Sequence, residues 1–248
     1  HLERNFAMYS IVVPCYNEEK NIHRLVERFD SVARELAIDG FELILVNNGS
    51  SDGTSAMIDR EVLSHPYIKK IDIIGNQGYG YGIMQGLAAC KGEWLGWIHA
   101  DLQLPPETFL EYAGLIRQTA NAGNCFYKGR RKNRPVSDVF FTMCMGIYET
   151  LYLGQPLWDI NAQPTLISRK FYQQITDPPF DFSLDLYVYY LAKKLHYQVV
   201  RVNVIQQERE EGVSSWNNGI QGRIKFIKRT LNFSRELKRR IKEEKSGC

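Results

Sequence analysis

No uncharged apolar run in this 248-residue chain approaches the roughly 20 residues that a helix needs to span a bilayer, so no transmembrane helix is expected. Even the aromatic stretch 139–158 is broken by Glu149, Gly154 and Pro156. Cysteine is sparse: Cys15, Cys90, Cys125, Cys144 and Cys248 form no C-x-x-C pair, which argues against a disulfide framework or a structural zinc site and fits reduced thiols in a cytoplasmic protein. Residues 1–7 lack the basic, apolar and small-residue order of a secretory signal, and the folded unit is expected to start at Met8. There is no internal repeat and no linker, which leaves one domain, 8–218, followed by a tail, 219–248.

At 44% hydrophobic residues the chain can bury a sizeable core. Its charge is uneven: residues 219–248 hold ten Lys or Arg against three Glu, a local +7 in a chain whose total is +3. Charge segregated in this way points to an anionic partner, and nucleic acid is not required. In the same tail Ile220, Ile224, Ile227, Leu231, Leu237 and Ile241 recur at helical spacing. Such an amphipathic helix suits an anionic membrane surface; it equally suits docking on the domain or on a second subunit of a homo-oligomer.

Ahead of the tail, short apolar runs alternate with helical periods. Strands are expected at Tyr9–Val13, Phe41–Val46, Ile68–Ile74 and Glu93–Ile98. Helices are expected over Ile22–Leu36, Thr54–Leu63, Tyr79–Cys90 and from Pro106 to about Gln118. The less regular second half predicts helices near 138–152 and 183–194 and a strand at Gln198–Ile205. Alternation of this kind implies an α/β fold with a doubly wound, mainly parallel sheet, whose ligands bind beyond the carboxyl ends of the strands. The residues found there are Tyr16-Asn17-Glu18, Asn47-Asn48, Asn76-Gln77-Gly78 and His99 to Gln103. Four polar clusters at one rim say more than any one of them, since a single polar loop is commonplace.

If the segment after the fourth strand is extended, His99, Asp101 and Gln103 face one point, because side chains two apart share a side. An imidazole, a carboxylate and an amide oxygen suit Mg²⁺ or Mn²⁺, which take the rest of their shell from water and substrate phosphates. The Gly-rich stretch from Gly75 to Gly82, with Gly86, is neither a Walker loop nor a dinucleotide fingerprint; its glycines are expected to admit close packing of helix on sheet.

Taken in order, Val13-Pro14-Cys15-Tyr16-Asn17-Glu18-Glu19, Asn47 to Thr54, Asn76-x-Gly78-x-Gly80 and Ala100-Asp101-Leu102-Gln103-x-Pro105-Pro106-Glu107 resemble the successive motifs of family 2 inverting glycosyltransferases of GT-A fold. Within that family the resemblance is strongest to the polyprenol-phosphate glycosyltransferases. It implies that Pro14, Tyr16, Glu18, Asn47, Asn48 and Gln77 bind a nucleotide-sugar donor, and that Asp101 and Gln103 hold the metal. It further implies that Arg130, Arg131 and Arg134, with Arg209 and Ser214 in Glu208-Arg209-x-x-Gly212-x-Ser214, meet phosphate. Two positions depart from the pattern: Asn47-Asn48 stands where an acidic pair is usual, and His99 replaces the first acid of an Asp-x-Asp. The histidine removes a hard ligand and a negative charge.

Inverting transfer needs in-line attack while a nucleoside diphosphate leaves, with Asp101 and Arg209 placed to stabilise the departing charge. A lipid-phosphate acceptor is already anionic and needs no base, whereas a saccharide hydroxyl requires one, for which Asp185 is the candidate. The expected activity is transfer to polyprenyl phosphate; the alternatives are transfer to a glycan hydroxyl and an inactive nucleotide-sugar binder. A UDP donor is preferred slightly over GDP, because an Asn amide can pair with the imide edge of uracil. The protein is expected to be cytoplasmic, peripheral at the membrane face if its tail binds there.

Overall fold

Ile11, Val12 and Val13 are β-branched residues that favour extended backbone, and they lie in β1 (Tyr9–Cys15), which is buried along its length. The computed structural model describes residues 8–36, 40–207 and 219–246, without the side chains of 219–221, 223 and 245. Strand and helix then alternate as expected: α1 (Glu19–Leu36), β2 (Phe41–Asn48), α2 (Thr54–Ser64), β3 (Ile68–Ile73), α3 (Tyr79–Ala89), β4 (Trp94–Trp97) and α4 (Thr108–Gln118). The second half comprises β5 (Cys125–Lys132), α5 (Val136–Leu153), β6 (Thr165–Ser168), α6 (Arg169–Tyr172), α7 (Leu184–Lys194), β7 (Gln198–Ile205) and α8 (Gly219–Ser246).

The seven strands form one sheet in the order β3-β2-β1-β4-β6-β5-β7. Neighbours are parallel except where β6 runs against β4 and β5. This is the mainly parallel, doubly wound α/β sheet of the sequence reading. Alternate residues of the central strands feed two core layers. Ile11, Val13, Leu43 and Leu45 meet Ile22, Leu25 and Phe29 of α1 and Phe109 and Tyr112 of α4. Val12, Ile44 and Val46 meet Ile83 and Leu87 of α3, Val188 and Tyr189 of α7, and Phe233 and Leu237 of α8. Each such burial contributes about 1.5–3 kcal/mol. At Gly86 a Cβ would lie 2.3 Å from Val12 Cγ1, so the missing side chain lets α3 sit close on the sheet.

The tail helix α8 docks on this second layer through Phe233 and Leu237, with Ile241 packed alongside. Of the stripe expected from sequence, Ile224 is instead exposed and Ile227 and Leu231 are only half-buried. Leu237 and Ile241 of that stripe do pack inward, and Phe233, with its larger apolar ring, joins them in place of the earlier isoleucines. Ser234 Oγ donates to the Glu149 carboxylate of α5 (2.7 and 2.8 Å), and Lys238 Nζ donates to the Tyr152 carbonyl (2.6 Å). On its other side α5 leaves Val136, Phe140, Cys144, Ile147 and Leu151 exposed, one face at helical spacing. Among the described residues no helix is long and apolar enough to cross a membrane.

Candidate functional site

Beyond the carboxyl ends of β1, β2 and β4 lies a cleft of about 680 Å³. Pro14, Tyr16, Glu18, Asn48, Gln77, His99, Asp101, Gln103 and Arg131 all line it, so most of the residues singled out from sequence converge. The loops that carry them are laced together. Asn17 N–H donates to Ser50 Oγ (3.1 Å), Ser51 N–H donates to Asn17 Oδ1 (2.9 Å) and Gly53 N–H donates to Glu19 Oε2 (2.6 Å). Asn48 ties the glycine loop to β2, its amide donating to the Gly78 carbonyl (2.9 Å) and its oxygen accepting from Gln77 N–H (3.3 Å). Gly78 has φ +104°, and a Cβ there would lie 2.4 Å from the Phe180 carbonyl, so glycine lets the 179–181 loop close the cleft.

His99, Asp101 and Gln103 all line the cleft, but the segment that carries them is not extended. Residues 100–104 form a bend, with Leu102 in the left-handed region at φ +58°. That conformation costs a non-glycine residue about 1–2 kcal/mol, and buried Leu102 is held there by the core it joins. Asp101 is buried but for 8% of its surface, and its Oδ1 accepts from the Gln103 N–H (3.2 Å). The His99 ring lies 5.2 Å from that of Tyr79, which stacks at 4.5 Å on Phe182. No cluster of three or more His, Cys, Asp or Glu is present among the described residues. One carboxylate, one amide and one imidazole at the wall of a cleft suit a cation that draws its remaining ligands from a diphosphate.

Four expectations are corrected. Asn47 does not line the cleft: side chains alternate along β2, and its amide donates to Asp72 Oδ1 on β3 (2.7 Å) while its oxygen accepts from Ser50 N–H (3.2 Å). Arg130 is exposed on the opposite side of β5 from Arg131. Arg134 is not in the cleft lining: it donates to Thr142 Oγ1 of α5 (2.9 Å) and lies 3.7 Å from the Asp159 carboxylate behind the cleft. Asp185, only 1% exposed, lies beneath the floor of the cleft and accepts from Trp97 Nε1 (3.2 Å) and Tyr79 OH (3.3 Å), while Gln163 donates to the same Tyr79 hydroxyl. It sits on the buried face of α7, so its carboxylate fixes Tyr79 instead of facing a ligand. Arg209 and Ser214 lie outside the described residues.

The sequence reading missed Asn161, Asp181, Lys225 and Arg229, which also line the cleft. Asp181 follows Pro178-Pro179, a turn signal that could have drawn attention to it. Arg131 forms a two-point contact with Asp159, Nε to Oδ1 at 3.0 Å and backbone N–H to Oδ2 at 3.1 Å. Burial alone would raise the Asp159 carboxyl, but Arg131 holds it below its ordinary value. Behind this pair, fully buried Lys128 donates to the Ala162 carbonyl (2.6 Å), and burial pulls its pKa down to about 7. Past Arg131 the cleft adjoins a pocket of only about 40 Å³, where Phe141, Met145, Ile160 and Leu186 meet the polar Thr142, Asn161, Ser183 and Thr230.

Residues 10–176 match the family described as Glycosyl transferase family 2, and the chain belongs to that family. An uncharacterized glycosyltransferase of Bacillus subtilis, YkcC, is 40% identical over 133 residues, 54% of this chain and 39% of that protein. The undecaprenyl-phosphate 4-deoxy-4-formamido-L-arabinose transferase of Proteus mirabilis is 30% identical over 215 residues, 84% of this chain and 62% of that protein. The chain thus spans less than two thirds of the length of these relatives. Among solved structures, glucosyl-3-phosphoglycerate synthase of Mycobacterium tuberculosis with UDP matches 88% of this chain and 76% of its own at a TM-score of 0.66 and 18% identity. A Pyrobaculum calidifontis mannosyltransferase with GDP-Man and Mn²⁺ matches 83% of this chain and 58% of its own at 0.62 and 16% identity. At these identities the likeness shows the GT-A fold.

Proposed function

We propose that the chain transfers a sugar from a nucleotide-diphosphate sugar to a polyprenyl phosphate. One observation carries this reading: a cleft with Asp101 at one wall and Arg131 at another lies beside a helix, α5, with an exposed apolar face. The Proteus mirabilis relative, named for an undecaprenyl-phosphate acceptor, supports the same class.

Pro14, Tyr16 and Glu18 would hold the nucleoside, while Asp101, Gln103 and His99 would hold Mg²⁺ or Mn²⁺, which stabilises the charge of the leaving diphosphate. With Asp185 sequestered, a phosphate acceptor fits best, since its oxygen attacks without a base. The amides of Asn47 and Asn48 are engaged with protein groups, so the uracil contact behind a UDP preference has no support in the geometry; both nucleotides belong in the test. Exposed Val136, Phe140, Ile147 and Leu151 of α5, packed beside basic α8, would seat the protein on an anionic bilayer.

Radiolabelled UDP- and GDP-sugars with undecaprenyl phosphate and Mn²⁺ or Mg²⁺ test the reading: label is expected in the lipid, and its absence with every pairing would overturn it. A second reading, transfer to a saccharide hydroxyl, has one observation in its favour, the cleft carboxylate of Asp181, which could take the proton. In that case Asp181→Asn abolishes transfer.

A further inference from the structure

The inward face of α8 changes character along its length. From Phe233 through Leu237 to Ile241 it is apolar and packed on the domain. One to three turns earlier, the same face presents Gly222, Lys225, Phe226 and Arg229 to the cleft, at the i, i+3, i+4 and i+7 spacing of a single helical stripe. Further along, the inward cation Lys238 is satisfied by the Tyr152 carbonyl, whereas Lys225 and Arg229 face the cavity. A cation over an open cleft has no packing reason to be there; Arg131, which lines the same cleft, is already paired with Asp159, and Asp181 is the cleft carboxylate nearest the helix cations.

Arg229 already has a small anion in place. Its Nε lies 3.3 Å from Asp181 Oδ2, and Asp181 Oδ1 accepts from the Ser183 N–H (2.8 Å), so the carboxylate is held by the loop that precedes α7. Lys225 has no carboxylate within ion-pair distance among the described residues. Two cations, one of them provisionally neutralised, form a site for a group carrying more charge than a carboxylate.

We infer that Lys225 and Arg229 of α8, with Arg131 of β5, form a phosphomonoester subsite, in which the incoming phosphate displaces Asp181 from Arg229. This rests on the acceptor-phosphate reading above and adds the tail helix to the binding site. The phosphate could come from the lipid headgroup or from a free phosphate, and both have the chemistry the site recognises.

The test uses the full chain in detergent. For Lys225→Ala and Arg229→Ala, the KM for undecaprenyl phosphate is expected to rise about 10-fold each, the loss of one charge-assisted hydrogen bond, while the Kd for nucleoside diphosphate with Mn²⁺ stays unchanged. Asp181→Asn removes the competitor and is expected to lower the Kd for inorganic phosphate; a merely structural ion pair would not tighten phosphate binding when broken. Unchanged acceptor KM in Lys225→Ala, or nucleotide affinity falling in step with it, would overturn the assignment. If the wild type transfers nothing, the proposed activity fails, but titration of inorganic phosphate into the nucleotide-saturated protein still decides the subsite. Binding lost in Lys225→Ala sustains it, and binding equal to wild type ends it. Displacement of inorganic phosphate by micellar undecaprenyl phosphate identifies the lipid as the occupant; no displacement identifies a soluble phosphate.

Discussion

The wall of the cleft that carries Tyr16, Asn48 and Asp101 and the wall that carries Arg131, Lys225 and Arg229 differ in how their polar groups are held. On the first, short side chains stand on loops bonded to one another, Asn17 to Ser50 and Ser51, Glu19 to Gly53, and Asn48 to the glycine loop. On the second, two long cations stand on a helix whose grip on the domain lies further along, at Phe233, Ser234 and Leu237. A prearranged wall stabilises developing charge without reorganising, whereas a wall anchored at a distance can adjust to a bulky acceptor.

The first wall should therefore answer sharply to single changes. Asp101→Ala is expected to reduce sugar transfer on the order of 10³-fold, since it removes the only carboxylate in the His99-Asp101-Gln103 set. Labelled-lipid formation measures this, and donor hydrolysis that survived the substitution would place the leaving-group chemistry elsewhere. The second wall should answer through its anchor. Phe233→Ala opens a cavity under α8 and is expected to cost about 3–5 kcal/mol in urea unfolding. Proteolysis should then release α8 before the sheet domain is cut, and cleavage of both together would show that the helix is not separately anchored.

That contrast also explains how much could be read from sequence. The first wall was legible because its residues sit just past strands, where a parallel sheet puts them at one rim whatever the details. The details still mattered: His99, Asp101 and Gln103 reach the cleft from a bend with a left-handed Leu102, and no alternation rule foresees that. β5 and β6 went unread because the second half of β5, Gly129-Arg130-Arg131-Lys132, is basic where a strand is expected to be apolar, and Thr165–Ser168 is too short to show a period. Likewise Asp185 stood as the candidate base, and only the packing of α7 shows it bonded to Trp97 and Tyr79. In the tail, helical period was clear, but which face turned inward depended on Phe233, whose partners lie in other elements.

A smaller effect concerns the outer face of the second wall. Replacing Phe140 and Leu151 together by Ser removes two exposed apolar side chains of α5 and is expected to weaken binding to anionic vesicles about 100-fold, or ~3 kcal/mol, with folding unaffected. Co-sedimentation measures it, and equal partition of both proteins would assign the stripe to another partner.

The gentlest probe is pH, acting where α5 and α8 meet. Glu149 is fully buried, and burial raises its pKa from 4.5 to about 7, the Ser234 hydroxyl offsetting only part of the shift. The folded protein therefore keeps a proton that the unfolded chain releases. Below pH 4.5 both states are protonated and the contribution is fully present; between 4.5 and about 7 it declines; above that range it is gone. The limiting slope is about 1.4 kcal/mol per pH unit. Glu149→Gln keeps an acceptor for Ser234 and cannot ionise, so its stability relative to wild type should grow as pH rises through this window. Urea unfolding of both proteins from about pH 5 to about pH 8 measures the difference. Parallel curves would mean that water reaches the carboxylate and that the two helices meet less closely than Ser234 and Glu149 imply. A divergence accompanied by rising acceptor KM in wild type alone would tie the α8 anchor to the cations it carries over the cleft.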